Sequence, residues 1–310
     1  MGSYLVTGGA GFIGSHIVDF LVDRGDSVRV LDDFSSGKAE NIEQNLNKIG
    51  LIHGSVADVE TVRDAVKGID YVLHHAAIAS VPGSIDDPIT ANEVNIAGTL
   101  NVLISSRDAG VKRVVFASSS AVYGDLPTLP KIETLATDPM SPYALNKLAG
   151  EYYCKLCTAL YGLETVCLRY FNVFGPRQDP NSQYSAVIPK FLTMMLSGES
   201  PRINGDGFQS RDFTFVSNNV MANFLACHTS NVAGEVFNIG CGESFSLLEL
   251  VDELNEILGT DIKPEFGPAR AGDVKNSIAG IDKARAGLKF EPSVGFHEGL
   301  KRLVGWYLGK

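Results

Sequence analysis

Long apolar runs and basic tracts are absent from this sequence, and no secretory leader is expected. No stretch of about 18 apolar residues occurs, so no membrane-spanning helix is predicted. The apolar residues at 4–6 are interrupted by Gly8 and Gly9 before they reach the length of a signal peptide. The formal net charge is −10 and the basic residues do not cluster, which argues against a nucleic-acid partner. A cytoplasmic location is expected.

Cysteine is also scarce. Five cysteines, an odd number in 310 residues, do not suggest a disulfide framework. Cys154 and Cys157 have the spacing of a metal or redox pair, but they fall inside a predicted helix with no second cysteine or histidine pair near them. We expect reduced thiols with small buried side chains and no metal site.

What the sequence does contain is an alternation of short apolar runs with amphipathic stretches. The predicted strands lie at residues 4–6, 28–31, 51–53, 71–74, 113–117, 165–168 and 236–239. The predicted helices between them lie at 12–24, 59–67, 92–109 and 142–160. This alternation indicates βαβ units, and hence an α/β fold with a Rossmann-type, doubly wound parallel sheet of about seven strands.

After residue 174 the pattern changes, because Gly175 and Pro176 interrupt it and loops rich in glycine and proline recur. Further helices are predicted at 187–197, 217–229, 246–258 and 293–307. We predict a smaller C-terminal substrate lobe made of residues 175–204 and 241–310. It is interleaved with a cofactor-binding domain made of residues 1–174 plus the strands and helices near 205–240.

Three glycines, Gly8, Gly11 and Gly14, directly follow the first predicted strand and open the first predicted helix. This spacing lets the backbone turn tightly and approach a pyrophosphate, while the N-terminus of the helix supplies N–H groups. Together with Phe12 and Ile13, these residues predict a dinucleotide-binding turn.

Acidic residues follow the next two strands. Asp32 can accept hydrogen bonds from the ribose hydroxyls of adenosine, and with Asp33 it would repel a 2′-phosphate, so NAD is favoured over NADP. Both residues also suit a turn or a cap. Lys38 is either a phosphate contact or a solvated lysine. Asp58, followed by Val59, either meets the adenine or caps a helix.

Small and polar residues close the fourth and fifth strands. Ala76 and Ala77 leave room for a flat cofactor. His74 and His75 precede them, and because adjacent strand residues point to opposite faces, we expect packed or hydrogen-bonded roles and no metal. The segment 118–124 places serine hydroxyls where one can bond a substrate oxygen, or be satisfied locally.

Tyr143 and Lys147 are four residues apart in a predicted helix and therefore share one face. An ammonium group beside a phenol favours the phenolate and lowers its pKa from about 10, which makes a usable base near neutral pH. The spacing alone occurs by chance in many helices. Its position after a glycine-rich turn and a serine-rich strand end favours a catalytic role.

Together these segments resemble the extended short-chain dehydrogenase/reductase family, in the branch that acts on nucleotide sugars. The resemblance covers nearly the whole chain. It rests on residues 7–14, 75–77, 95, 118–124, 143, 147, 169–177, 205–213 and 270–273.

The resemblance implies roles for individual residues. Tyr143 is the expected acid/base, Lys147 binds the nicotinamide ribose of NAD, and Ser119 assists them, with Ser120 as the alternative. The further cofactor contacts that it implies are Asn95, Ser118 and Tyr170. The implied substrate contacts are Ser80, Ser119, Ser120, Tyr143, Asn172, Val187, Arg211, Arg270, Asp273 and Ser277. Guanidinium and amide groups suit a diphosphate, although ion pairs are the alternative role for the two arginines.

The branch also divides by reaction. Related dehydratases carry Thr-Asp-Glu after the strand, and decarboxylases carry a glutamate two residues before the next tyrosine. Here Ser120 and Ala121 stand in those places, so no side chain is offered for proton transfer at the sugar C5. The resemblance therefore implies a 4-epimerase that moves hydride from C4 to NAD and back. Ser277 is small enough for an N-acetyl group, so UDP-glucose/UDP-galactose and UDP-GlcNAc/UDP-GalNAc are both expected substrates.

Three alternatives remain open from the sequence. UDP-glucuronate could be the substrate, with Arg177 or Arg202 meeting its carboxylate. A net oxidoreductase would release reduced cofactor, whereas a non-catalytic NAD-binding module would need none of the catalytic residues. Family members often pair through two helices, so a homodimer through helices 92–109 and 142–160 is expected.

Overall fold

The computed structural model describes residues 1–180, 187–268 and 275–309. Its strands are β1 Ser3–Thr7, β2 Ser27–Asp32, β3 Ile49–His53, β4 Tyr71–His74, β5 Arg113–Ser119, β6 Glu164–Tyr170, β7 Val173–Phe174, β8 Arg202–Asn204, β9 Ser210–Arg211, β10 Thr214–Phe215, β11 Glu235–Ile239, β12 Phe245–Ser246 and β13 Glu265–Gly267. Its α-helices are α1 Phe12–Asp23, α2 Val59–Ala65, α3 Val81–Asp86, α4 Pro88–Asn92, α5 Gly98–Asp108, α6 Pro142–Tyr161, α7 Val187–Leu196, α8 Val216–His228, α9 Leu247–Leu258, α10 Asp282–Leu288 and α11 Phe296–Tyr307.

Seven strands form one parallel sheet in the order β3-β2-β1-β4-β5-β6-β11. They contain the seven apolar runs that predicted strands, so the Rossmann-type sheet is confirmed. The chain first moves outward from β1 to β3 and then returns to place β4 on the other side of β1. In such sheets a crevice opens at the carboxyl ends of the strands where this reversal occurs, and ligands bind there.

Helices cover both faces of the sheet. Leu5 and Val6 are neighbours on β1 and therefore point to opposite faces. Val6 packs in a core with side chains of α1 and α8, whereas Leu5 packs in a core with side chains of α2, α5 and α6. Both cores are fully buried, which explains why the strands read as continuous apolar runs and not as alternating ones.

The predicted helix at 92–109 is divided in the structure. A single π-helical turn, Glu93–Ala97, separates α4 from α5. Asn95 is buried within this turn. The short helices α3 and α10 were not predicted, because neither is long enough to show an amphipathic period.

A third core lies beyond the carboxyl ends of the strands and joins α7, α9 and α11. Phe213 and Phe215 pack in this core, although they belong to the range predicted for the cofactor domain. Leu288 and Phe290, from the range predicted for the lobe, pack instead with the sheet. The division into two interleaved parts and their residue boundaries stay a prediction.

Within the described ranges, no helix is long and apolar enough to cross a membrane. The cysteines are free thiols, and all of them except the partly buried Cys241 are buried. Among the same residues, no group of three or more histidine, cysteine or acidic side chains could hold a metal ion.

Candidate active site

The glycine turn between β1 and α1 lines a cavity of about 740 Å³ at the carboxyl edge of the sheet. Gly8 has a φ of +68°, a left-handed conformation that favours glycine, and a Cβ there would lie 2.7 Å from the backbone nitrogen of Ala76. A Cβ on Gly14 would lie 2.1 Å from the carbonyl oxygen of Gly8. Gly11 precedes α1 without a side-chain cap, which leaves N–H groups of the first turn available to an anion.

Asp32 lines the same cavity from the end of β2, and Asp33 lies beside it. The Asp32 carboxylate accepts hydrogen bonds from the backbone N–H groups of Ala10 and Phe34, each at 2.8 Å. Burial raises the pKa of Asp32, and these two bonds oppose the rise. Each carboxylate oxygen accepts one of these bonds and has capacity for another, so Asp32 can hold the turn and still bind a ribose hydroxyl.

Four predicted cofactor contacts, Lys38, Asp58, Val59 and Asn95, are not among the described residues that line this cavity. The Lys38 ammonium lies 3.8 Å from Asp179. Asp58 caps α2 by accepting the N–H of residue 60 at 3.1 Å, which is the helix-capping alternative, and Val59 is the first residue of that helix. Residues 54–56 line the cavity in their place. Cofactor contacts for Lys38, Asp58 and Val59 therefore stay predictions.

The segment that follows β4 lies beside the glycine turn and lines the cavity as well. Ala76 and Ala77 line it directly, and Ser80 lines it where α3 begins. Asn95 stands behind this segment, where its side chain accepts the N–H of Ile78 at 2.8 Å and donates to the Ile78 carbonyl at 3.1 Å. Asn95 therefore positions the segment and is not itself part of the lining.

Both histidines that end β4 make hydrogen bonds inside the protein, as the sequence predicts. His74 lies between the hydroxyls of Thr7 and Thr99, at 2.7 and 3.0 Å. The Nε2 atom of His75 lies 3.1 Å from the hydroxyl of Tyr170, which lines the cavity. Burial lowers the pKa of both imidazoles, to about 3 for His75, so both are neutral at physiological pH.

The three predicted catalytic residues are brought together at the ends of β5 and α6. Ser119 ends β5, and Tyr143 and Lys147 lie one turn apart near the start of α6. The backbone N–H of Tyr143 donates to the Ser84 hydroxyl at 3.0 Å, and the Ser119 side chain lies close enough to the Tyr143 phenol to influence its pKa. The Lys147 ammonium donates to the carbonyl of Ala117 at 2.8 Å.

The origin of the Tyr143 pKa differs from the expectation that Lys147 lowers it. Burial raises the pKa of Tyr143, and the nearby Ser119 hydroxyl opposes this rise. Lys147 directs its ammonium to the Ala117 carbonyl and lies 5.8 Å from the centre of the Tyr143 ring. Burial also lowers the pKa of Lys147 to about 8. Ser119 is therefore the side chain that opposes the effect of burial on the Tyr143 pKa, and the role of Lys147 toward the phenol stays a prediction.

A second cavity of about 540 Å³ adjoins the first. The residues that line both cavities are Phe12, Ile13, Ala79, Ser118, Tyr143 and Tyr170. The second cavity is also lined by five of the predicted substrate contacts, which are Ser119, Ser120, Asn172, Arg211 and Ser277. Tyr143 therefore stands in the wall between a space for a dinucleotide and a space that holds the predicted substrate contacts.

The charges around the second cavity favour an anionic ligand. Among its described lining residues, Lys131 and Arg211 are cationic and none is acidic. One Arg211 nitrogen donates to the Ser210 carbonyl at 2.9 Å. Val187 packs against the core of α7, α9 and α11 and is not among the described lining residues. Arg270 and Asp273 lie outside the described residues.

Three residues around the site were missed in the sequence. Lys131 lines the second cavity although it is almost fully buried. Asp212 is buried and accepts backbone N–H groups of Cys241 and Ala279 at 2.8 and 3.1 Å. Glu151 is a buried residue of α6, the helix that carries Tyr143 and Lys147. Asp212 lies in the segment 205–213 that carries the family resemblance, but no role was predicted for it, and Lys131 and Glu151 show only a charge next to apolar residues, which does not identify a partner that is distant in sequence.

The larger cavity fits a dinucleotide on three independent grounds. The turn around Gly8 and Gly14 leaves no room for a Cβ, the N-terminus of α1 offers N–H groups, and Asp32 offers carboxylate oxygens at the end of β2. The family model described as NAD dependent epimerase/dehydratase family matches residues 4–240. This chain belongs to the NAD-dependent epimerase/dehydratase family.

Members of the NAD-dependent epimerase/dehydratase family resemble this chain over nearly its full length. The UDP-glucose 4-epimerase of Mycolicibacterium smegmatis is 38% identical over 310 residues, which cover 99% of this chain and 98% of the relative. The UDP-N-acetylglucosamine 4-epimerase of Methanobrevibacter ruminantium M1, solved with UDP-N-acetylmuramic acid, has a TM-score of 0.95 and 42% identity and covers 99% and 98% of the two chains. The UDP-glucose 4-epimerase of Thermotoga maritima, solved with UDP-glucose, has a TM-score of 0.94 and 40% identity and covers 99% of each.

Proposed function

We propose that this chain is an NAD-dependent UDP-hexose 4-epimerase, an isomerase that interconverts UDP-glucose and UDP-galactose and also UDP-GlcNAc and UDP-GalNAc. The observation that carries this proposal is the composition of the cavity beside Tyr143. Among its described lining residues it offers a phenol, serine hydroxyls and two cations, but no carboxylate. An elimination or a decarboxylation would call for an acid near the sugar C5, whereas 4-epimerisation needs only the phenol, a hydroxyl and NAD.

The protein's own groups would manage the proton of the sugar 4-hydroxyl. Tyr143, in its phenolate form, would receive this proton, and Ser119, which lowers the pKa of the phenol against the effect of burial, would help to stabilise that form. NAD, when bound, supplies the chemistry by accepting hydride from C4 and returning it. Asn172 and Arg211 are the candidates to hold the diphosphate while the transient 4-keto sugar rotates in the cavity and presents its opposite face. Tyr143 then returns its proton, and no net oxidation results.

Substrate breadth is proposed from Ser277. Its small side chain lines the cavity, which leaves room for either a hydroxyl or an N-acetyl group at the sugar C2. The two solved relatives support this breadth, since one is a UDP-N-acetylglucosamine 4-epimerase and the other is a UDP-glucose 4-epimerase.

UDP-glucuronate is a weaker candidate. Arg177, one of the two arginines considered for its carboxylate, makes an ion pair with Asp19 of α1 at 2.6 Å. Arg202, the other, is exposed on β8. Neither is among the described residues that line the substrate cavity.

A panel of UDP-sugars, incubated with the purified protein and no added NAD, tests the proposal. We expect separation of the products to show interconversion of UDP-glucose with UDP-galactose, and of UDP-GlcNAc with UDP-GalNAc. Stoichiometric accumulation of reduced nicotinamide with excess NAD would instead identify a net oxidoreductase.

Replacing Tyr143 with Phe removes the proposed acid/base while it keeps the ring. We expect turnover to fall by about 100-fold or more, while bound NAD is retained. Product separation measures turnover, and release of the cofactor by denaturation measures the NAD content. Near-normal turnover in this variant would contradict the role of Tyr143.

A homodimer is also proposed, and α6 supports it. Leu145, Tyr152, Leu156 and Leu160 are between 48% and 65% exposed on this helix, and they recur at intervals of four or seven residues. A stripe of this kind would be buried by a second copy of the helix. The exposed large apolar side chains near this stripe are Ile85 of α3 and Ile89 of α4. Helix α5, which the sequence analysis placed in the interface, exposes no large apolar side chain. A cytoplasmic location stays a prediction.

A further inference from the structure

A buried ion pair lies beneath the catalytic residues. The Glu151 carboxylate accepts two hydrogen bonds from the Arg169 guanidinium, Nε to Oε1 at 2.9 Å and Nη2 to Oε2 at 2.7 Å. It also accepts the Ser118 hydroxyl at 2.5 Å. Both side chains of the ion pair are about 95% buried. The Arg169 guanidinium also stacks over the ring of Tyr123 at 4.7 Å.

Each partner of Glu151 is next in sequence to a residue of the site. Ser118 precedes Ser119 on β5, and Arg169 precedes Tyr170 on β6. In the pairing of β5 with β6, Ser118 lies opposite Arg169. The Glu151 carboxylate therefore binds both strands at the same position of the register, near their carboxyl ends. Glu151 itself lies one turn after Lys147 on α6 and shares its helix face. The contacts therefore connect the helix that carries the phenol with the strand that carries the serine.

Stability alone does not explain this arrangement. A buried ion pair is weak evidence for stability, because apolar replacements of similar volume often leave stability unchanged or improved. A bidentate pair fixes the relative orientation of its two side chains, because it holds two planar groups in one geometry. A second ion pair joins the same two strands at their other ends, where Arg113 pairs with Glu164 at 2.5 Å. It serves as a comparison for the buried pair, because the Glu164 side chain is 48% exposed.

We propose that Glu151 is a positioning residue for the 4-epimerase reaction. Through Arg169 and Ser118 it sets the position of α6 against β5 and β6, and so the approach of Ser119 to Tyr143. The inference rests on the proposed function. Because Glu151 lines neither cavity among the described residues, its loss would change the catalytic step and leave substrate binding nearly intact.

The test compares Glu151→Met and Glu151→Gln with the control Glu164→Met. With UDP-glucose as substrate, we expect Glu151→Met to lower kcat by about 10- to 100-fold while KM changes less than about twofold. Glu151→Gln, whose amide oxygen can still accept both partners, should recover part of this loss. Glu164→Met should keep kcat within about twofold of the wild type, because it removes a pair on the same strands but far from the site.

Removing Glu151 alone leaves a buried arginine without its partner, so Glu151→Met could fail to fold. The double variant Glu151→Met/Arg169→Met removes both charges, and we expect it to fold and still show the low kcat. A folded double variant with kcat within about threefold of the wild type would overturn the inference, as would an equal loss in Glu164→Met. Failure of the proposed function would be seen separately, as no interconversion by the wild type.

Discussion

At the scale of the residue, Lys147 is a buried ammonium whose pKa burial lowers from 10.5 to about 8. Between about pH 8 and 10.5 the unfolded chain therefore binds more protons than the folded chain. Below this range the burial of the charged Lys147 lowers the stability of the fold. This cost disappears as the pH rises through the range, because Lys147 becomes neutral in both states. Replacing Lys147 with Met removes this pH dependence. The wild type gains stability as the pH rises and the variant does not. We therefore expect the free energy of unfolding of the variant, minus that of the wild type, to fall by about 2 kcal/mol from neutral pH to about pH 10. Urea unfolding of both proteins without NAD measures this difference.

Lys155→Met is the matched control for this prediction, because Lys155 is exposed on the same helix. Its stability relative to the wild type should change by less than about 0.5 kcal/mol at either pH. An equal pH dependence in the two variants would show that Lys147 does not carry the burial cost.

At the scale of the element, the turn between β1 and α1 depends on the absence of a side chain at Gly14. A Cβ there would lie 2.1 Å from the Gly8 carbonyl oxygen, and only a backbone shift relieves such a contact. We expect Gly14→Ala to lose bound NAD and to lower the free energy of unfolding by about 1–3 kcal/mol. The NAD content of the purified protein and denaturant unfolding measure the two effects.

Gly50→Ala provides the comparison for the turn. Gly50 lies on the edge strand β3, where the nearest atom to a Cβ is a side-chain carbon of Arg29 at 3.8 Å. We expect this variant to keep its NAD and its stability to within about 0.5 kcal/mol. Full NAD retention in Gly14→Ala would show that the turn adapts and that close approach at residue 14 is not required.

At the scale of the whole molecule, the apolar stripe of α6 predicts association of two chains. We expect the wild type to have twice the monomer mass of 33.2 kDa in sedimentation or light scattering. Glu at Leu156 and at Leu160 would place charges in the middle of the stripe, and Leu156→Glu/Leu160→Glu should be monomeric because a buried, unpaired charge is strongly unfavourable.

Phe266→Glu is the control for the dimer, because Phe266 is 58% exposed on β13, away from α6. This variant should keep the wild-type mass. A monomeric wild type at every concentration, or loss of the dimer in Phe266→Glu, would contradict the proposed interface.

Much of this molecule follows from local patterns in the sequence. The apolar runs around Leu5, Val30 and Val115 predict strands because both faces of a covered parallel sheet exclude water, and the spacing of Gly8, Gly11 and Gly14 predicts the turn because no Cβ fits there. The four-residue interval from Tyr143 to Lys147 places both side chains on one face through helix geometry alone. These features depend on neighbours in the chain, so the sequence by itself determined them.

Only the tertiary structure decided which distant groups meet. The sequence suited Asp58 equally to an adenine contact and to a helix cap; the structure shows that it caps α2, and the adenine contact stays a prediction. Ser119 opposes the rise that burial causes in the Tyr143 pKa, and the Lys147 ammonium donates to the carbonyl of Ala117. Glu151 and Arg169 are 18 residues apart, and they meet because α6 packs across the end of β6. Such contacts depend on how whole elements pack, which a local pattern does not contain.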